Sequence, residues 1–194
     1  MPYFLIPQIL MILIWLFKVR HLSLLYRQHR VERRKMQVIR KGGFLLNRFV
    51  QIIQILLLIS VAISFFGWGI VKVSSPISIS VQISGIIFFL IGILMEIRAA
   101  RNLGSNYFLT PQIRKGQNLI ETGPYRFIRH PMYLGEILVF TGFGLALLSY
   151  TTFGLTLLVL TPLRNYCAQK EEFLLWKYFG NSFREYRNRT RRFL

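Results

Sequence analysis

"ISISVQISGIIFFLIGILMEI", residues 77 to 97, carries a single charged side chain, Glu96, near its end. An α-helix rises ~1.5 Å per residue, so the stretch reaches about 30 Å, the thickness of a bilayer's hydrocarbon core. Working outward, the chain of 194 residues is 53% hydrophobic and only 16% charged, with a mean hydropathy of +0.43. That is too oily for an ordinary soluble domain of this length. Four further stretches are long enough to cross: residues 2–19, 49–71, 132–150 and 151–168. The sequence therefore predicts an all-α integral membrane protein with about five transmembrane helices.

The basic residues test this division. Ten lie between positions 18 and 48, six between 98 and 129 and eight between 164 and 192, leaving only Lys72 of the 25. Five crossings with the N-terminus outside put all three groups, and the C-terminus, in the cytoplasm, as the positive-inside rule asks. The net charge of +18 is split among juxtamembrane segments instead of forming one basic module. It therefore points to anionic lipid and away from nucleic acid. The first apolar stretch lacks a basic leader and a small-residue cleavage site, so an anchor is expected there, not a cleaved signal. One cysteine, Cys167, excludes an internal disulfide and a multi-cysteine metal site, and no metal is expected.

No repeat or low-complexity segment interrupts the chain, which reads as one membrane domain over 1–194. Residues 31–47 read as a short cytoplasmic helix ended by Gly42 and Gly43, a charged connector near the headgroups. His21 and His29 sit among basic residues as surface side chains. Residues 101–130 are punctuated by Gly104, Pro111, Gly116, Gly123 and Pro124 too often for a long helix. Irregular segments of this length between spans are usually functional or disordered, and the aromatic and aliphatic content here argues against disorder. At its end Pro131 suits the first position of a helix, with His130 as the cap. Past the last apolar stretch, Glu171, Leu175 and Tyr178 fall close to one helical face, Gly180 stops the helix, and Ser182 is a candidate cap for a short second one.

Taken together, "LIETGPYRFIRHPMYLG" (119–135), an apolar hairpin, and "EEFLLWKYFGNSFREY" (171–186) resemble the isoprenylcysteine carboxyl methyltransferase family of membrane proteins, in its prokaryotic form. The resemblance covers roughly residues 102–186; the first two spans match only in hydrophobicity. It implies a division into N-terminal spans (1–97) and a methyltransferase core (98–194), with a cytoplasmic cofactor-binding loop and C-terminal helix. It implies S-adenosylmethionine as cofactor, contacted by Gln117, Asn118, Leu119, Ile120, Tyr125, His130, Pro131, Met132, Tyr133 and Glu171, with Thr110 a looser match.

These residue types suit that ligand. Glu171 can accept from an ammonium or a ribose, His130 and the free N–H groups of the helix starting at Pro131 can hold a carboxylate, and Tyr125 and Tyr133 can pack on apolar and cationic parts. No G-x-G-x-x-G follows a strand, which excludes a soluble Rossmann-type enzyme. Gly135, with Gly142 and Gly144, reads as a helix-packing residue, and Glu96 and Glu136 as interfacial ion-pair formers. Glu172 must point about 100° away from Glu171 and is expected to brace Arg164 or a loop cation.

The expected activity is methyl transfer to a lipophilic, membrane-resident acceptor, foremost O-methylation of a carboxylate such as a prenylcysteine-like terminus, or of a small lipid acid or enol. Members of the resembled family carry an arginine where this chain has Cys167. Arg164, one turn earlier, is the candidate residue for the acceptor's charge. A phospholipid N-methyltransferase and a non-enzymatic basic membrane module are the alternatives.

Overall fold

The stretch at 77–97 lies within α4 (Ser75–Leu103), an apolar helix without proline after its first turn. The computed structural model describes residues 5–35, 38–41, 44–66, 75–108 and 112–193. Gly42, Gly43, Lys72 and Thr110, each singled out from the sequence, lie outside them. Before α4 come α1 (Leu5–Gln28), α2 (Arg30–Lys35), the short strand β1 (Val38–Lys41) and α3 (Phe44–Phe65). After it come β2 (Gln112–Arg114), α5 (Pro131–Ala146), α6 (Tyr150–Leu155), α7 (Thr161–Phe179) and α8 (Asn181–Arg189). The described residues form an all-α architecture apart from one two-stranded ribbon.

Helices α4 and α5 form the spine, because glycines let their backbones touch. A Cβ on Gly92 would lie 2.6 Å from the carbonyl oxygen of Gly135, and one on Gly142 would lie 2.6 Å from that of Gly85. Such reciprocal small residues are how helices approach when lipid supplies no hydrophobic drive. Gly135, Gly142 and Gly144 thus all pack helices as expected, the last against the backbone of Phe153 in α6. Around this seam Phe89 meets Phe143 edge-on at 4.9 Å between centroids, and Leu57, Val139 and Leu160 are fully buried. Outside it, Ile52, Ile55, Ile59, Ile83, Ile87 and Leu94 stand exposed. So much apolar surface is stable against lipid rather than water.

A knot of hydroxyls closes one end of the bundle. Ser64 donates to Ser149 Oγ at 2.7 Å, Ser60 bonds Thr152 at 2.9 Å, and Ser149 caps α6 by accepting from the N–H of Thr152. Each buried hydroxyl thereby keeps a partner in a low-dielectric setting.

Several boundaries differ from expectation. Among the described residues two helices, Ile9–Gln28 and Ile77–Asn106, are long and apolar enough to cross a membrane, where five crossings were expected; Arg48–Ser64 and Pro131–Ala146 are shorter apolar helices. Helix α1 continues past Val19 because Lys18, which reads as the end of a span, is buried against Glu96 and need not reach water. The chain is helical without a break from Tyr150 to Phe179, through a π-helical turn at Thr156–Leu160. The last apolar stretch and the helix of the acidic pair are therefore one rod of about 45 Å.

Residues 31–47 are not one helix. β1 pairs antiparallel with β2, Val38 opposite Arg114 and Lys41 opposite Gln112. β-Branched Val38 and Ile39 suit a strand once a distant partner is present, a tertiary override of local helical pattern. Gly180, at φ +56°, stops α7 and is itself the N-cap of α8, so Ser182 lies inside that helix instead of capping it.

Candidate active site

The turn entering α5 is held from both sides. Gly123 adopts φ +59° with its α-carbon against the side chain of Asn102, where a Cβ has no room. The 3₁₀ turn Gly123–Arg126 follows, and the carbonyl of its Tyr125 accepts from the Tyr186 hydroxyl at 2.7 Å. The backbone N–H groups of Arg129 and His130 then donate to the carbonyls of Arg191 and Arg192 at 2.8 and 3.3 Å. The chain beyond α8 thus runs as a strap along the turn. His130 occupies the cap position of α5, as expected, but its ring caps nothing; it turns toward α7.

The two acids of α7 part company there. Glu172 is 5% exposed and accepts from Arg129 Nε at 2.9 Å, from Arg192 Nε and Nη2 at 3.0 and 2.9 Å, and faces His130 Nε2 at 3.2 Å. Burial alone would raise its carboxyl, but the hydrogen bonds from His130, Arg192 and Arg129 outweigh burial and hold it well below the usual carboxylate range. Arg129 also donates to the carbonyls of Arg187 and Thr190. The expectation that Glu172 braces a cation holds for Arg129 and Arg192, and not for Arg164. Glu171, on the neighbouring face, accepts from the Tyr133 hydroxyl at 2.9 Å and keeps its carboxylate one-third exposed.

A cavity of about 640 Å³ opens beside Glu171, within the range of about 300–1,000 Å³ common to small-molecule sites. Gln117, Asn118, Leu119, Ile120, Tyr125, His130, Met132, Tyr133, Glu171 and Arg164 all line it. Pro131 does not; it is fully buried behind the wall, where it starts α5. Burial pushes the Tyr125 phenol well above its ordinary value, so it stays a neutral wall.

Sequence reasoning missed several lining groups. Asn106 bonds the carbonyl of Asn118 through Nδ2 at 3.4 Å, while its Oδ1 is buried without a hydrogen-bond partner. The loop's density of Gly, Ser and Asn was the available signal. Tyr107 and Tyr186 also reach the wall, from the end of the α4 segment and from α8.

The same cavity is also walled by the apolar residues Trp15, Leu58 and Phe140, and two ion pairs lie in its lining. Lys18 of α1 bonds both oxygens of Glu96, at 3.2 and 3.1 Å. Arg164 of α7 pairs with Glu136 of α5, which also accepts from Gln54 of α3, and its guanidinium lies 4.9 Å over the Tyr133 ring. Glu96 and Glu136 do form ion pairs, as read from the sequence. Arg164, expected to await an acceptor's charge, already has a carboxylate. Cys167 is buried one turn along from it.

An all-α chain with bilayer-length apolar helices, and a cavity joining polar loop residues to buried charge, has the layout of a membrane-embedded enzyme. The chain belongs to the phospholipid methyltransferase family, whose profile matches residues 80–182, just over half of its length. It is thus a membrane methyltransferase of the type that includes the isoprenylcysteine enzymes. No curated protein matches it.

Proposed function

We propose that this protein transfers the methyl group of S-adenosylmethionine to a lipophilic acceptor that enters its cavity from the bilayer. One observation carries the reading: residues 117–120, Tyr125, His130, Met132, Tyr133 and Glu171, distant in sequence, line one cavity together with apolar residues of the helices, Trp15, Leu58 and Phe140. The donor set fits the cofactor. Glu171 and the unpartnered Asn106 Oδ1 offer acceptors to an ammonium, an amine or a ribose, and Tyr125, Met132 and Tyr133 offer a soft and aromatic wall.

S-Adenosylmethionine supplies an already activated methyl on a sulfonium, so no metal is needed to activate it. The protein's share is alignment and exclusion of water. His130, held by Glu172 and the strap, keeps the entry of α5 rigid, and Tyr133 is fixed between Glu171 and Arg164. A phospholipid amine is the second reading, favoured by the family's description. Titrating S-adenosylmethionine into the detergent-purified protein should give saturable binding. Its absence would leave a non-enzymatic membrane module.

The topology proposed with this function has five crossings in one membrane domain over residues 1–194, N-terminus outside and C-terminus cytoplasmic, in a plasma membrane of prokaryotic type. The distribution of basic residues supports it. Reporter fusions at the two ends should then report opposite sides of the membrane; the same side for both would refute an odd number of crossings.

A further inference from the structure

Among the described residues that line the cavity beside Trp15, Leu58 and Phe140, each cation is spent on a carboxylate: Lys18 on Glu96, and Arg164 on Glu136. Among the described residues Lys18 and Arg164 have no charge to spare for an anionic acceptor, which would meet a positive charge only in the cofactor's sulfonium and would sit beside Glu96 and Glu136. Burying a charge without a partner is costly, so the side chains favour a head that is neutral when it enters.

A second observation narrows the class. Arg164 is 9% exposed, and its Nε is buried with no hydrogen-bond partner, although the same guanidinium holds Glu136 through Nη2. Among the described residues the carboxylate oxygens of Glu136 accept one bond each, from Gln54 and Arg164, and a carboxylate oxygen can accept two. One side-chain pair therefore presents an unused N–H donor and an unused anionic acceptor together. A hydroxyl satisfies both: its oxygen accepts from Nε while its hydrogen points at Glu136. A neutral amine would have to give its only lone pair either to Nε or to the methyl.

We propose that the acceptor is a lipophilic hydroxyl of the acidic kind, a phenol or enol, and that Glu136 takes its proton. This rests on the methyltransferase reading above. In the step, the O–H bond breaks and the proton passes to the Glu136 carboxylate. The hydroxyl oxygen bonds the methyl carbon as the carbon–sulfur bond of the sulfonium breaks, leaving a neutral ether and a neutral thioether. Arg164 holds the oxygen in line through Nε and holds Glu136 through Nη2.

Three alkyl compounds of matched chain length, a 4-alkylphenol, an alkyl carboxylate and an alkylamine, test this with the full-length protein in detergent. Binding to the cofactor-free protein is read by thermal shift, and methylation by mass spectrometry of the product. The phenol should bind most tightly and be converted to its methyl ether. Glu136→Gln should lower kcat on the phenol by roughly 10²–10⁴-fold, the span of general-base effects, and leave S-adenosylmethionine affinity unchanged. The same variant should lose much less on a nitro-substituted alkylphenol that is already ionised, a difference that a purely structural role would not produce. Preference for the carboxylate or amine in the unmodified protein overturns the proposal even if the variant fails to fold, as does an equal loss on both phenols. Failure of the unmodified protein to bind S-adenosylmethionine overturns the methyltransferase reading itself.

Discussion

Glu172→Ala is expected to destabilise the protein by about 3–5 kcal/mol, the cost of stripping a buried cation of its partner. Arg129 has a side chain only 9% exposed, and its Nε would face an empty site. Arg192 would lose two bonds and His130 one, leaving the Arg192–Asn165 bond as the side-chain link from the C-terminal strap to α7 among the described residues. Thermal unfolding of the purified variant reads the loss directly. Acid gives the same result from another direction. The folded carboxyl of Glu172 is held below its ordinary value, so its stabilisation is fully present above the ordinary glutamate range and is lost as pH falls toward the folded value. The unmodified protein should therefore lose stability between about pH 4 and strong acid more steeply than Glu172→Gln does. A flat difference between the two would remove the network from the account.

Glu171→Gln should do the opposite: leave the unfolding midpoint nearly unchanged and weaken S-adenosylmethionine. Its carboxylate is one-third exposed and lines the cavity, and among the described residues it holds Tyr133 and only approaches His130, at 3.6 Å. A hydrogen bond to a charged group contributes about 1.5–3 kcal/mol, which corresponds to roughly 10- to 150-fold in affinity. Calorimetric titration measures it. If the two variants exchange phenotypes, with Glu172 governing affinity and Glu171 stability, the assignment of the helix faces is wrong. A stability loss in both with affinity intact would mean that the cavity is not where the cofactor binds.

The contrast between neighbouring acids shows where a linear reading stops. The approximately 100° step of an α-helix separates positions 171 and 172 onto different faces. It cannot say that the second face meets Arg129 and Arg192, because those partners arrive from a loop and from the chain end beyond α8. In the same way a strand at 38–41 is invisible locally, its partner lying at 112–114. Arg164 was legible as a cation on the helix of the acidic pair, one turn from Cys167. That Glu136 already neutralises it follows only from the packing of α5 against α7.

What the sequence by itself determined is what local chemistry can carry. The apolar lengths specify helices for a bilayer, Pro131 after His130 starts α5, Gly180 ends α7, and the spacing of the two motifs marks the loop, turn and acidic residues that line the cavity. Each depends on a residue's own backbone preference or on neighbours within a turn or two. Tertiary structure alone decided the rest. The glycine contacts bring α4 onto α5, the strap fastens the turn to Glu172, and the pairing of Lys18 with Glu96 carries α1 beyond the point where a lone lysine ends a span. These depend on which distant groups share a low-dielectric space, where an unpaired charge or an unused hydrogen bond is expensive and its partner therefore decides what it does.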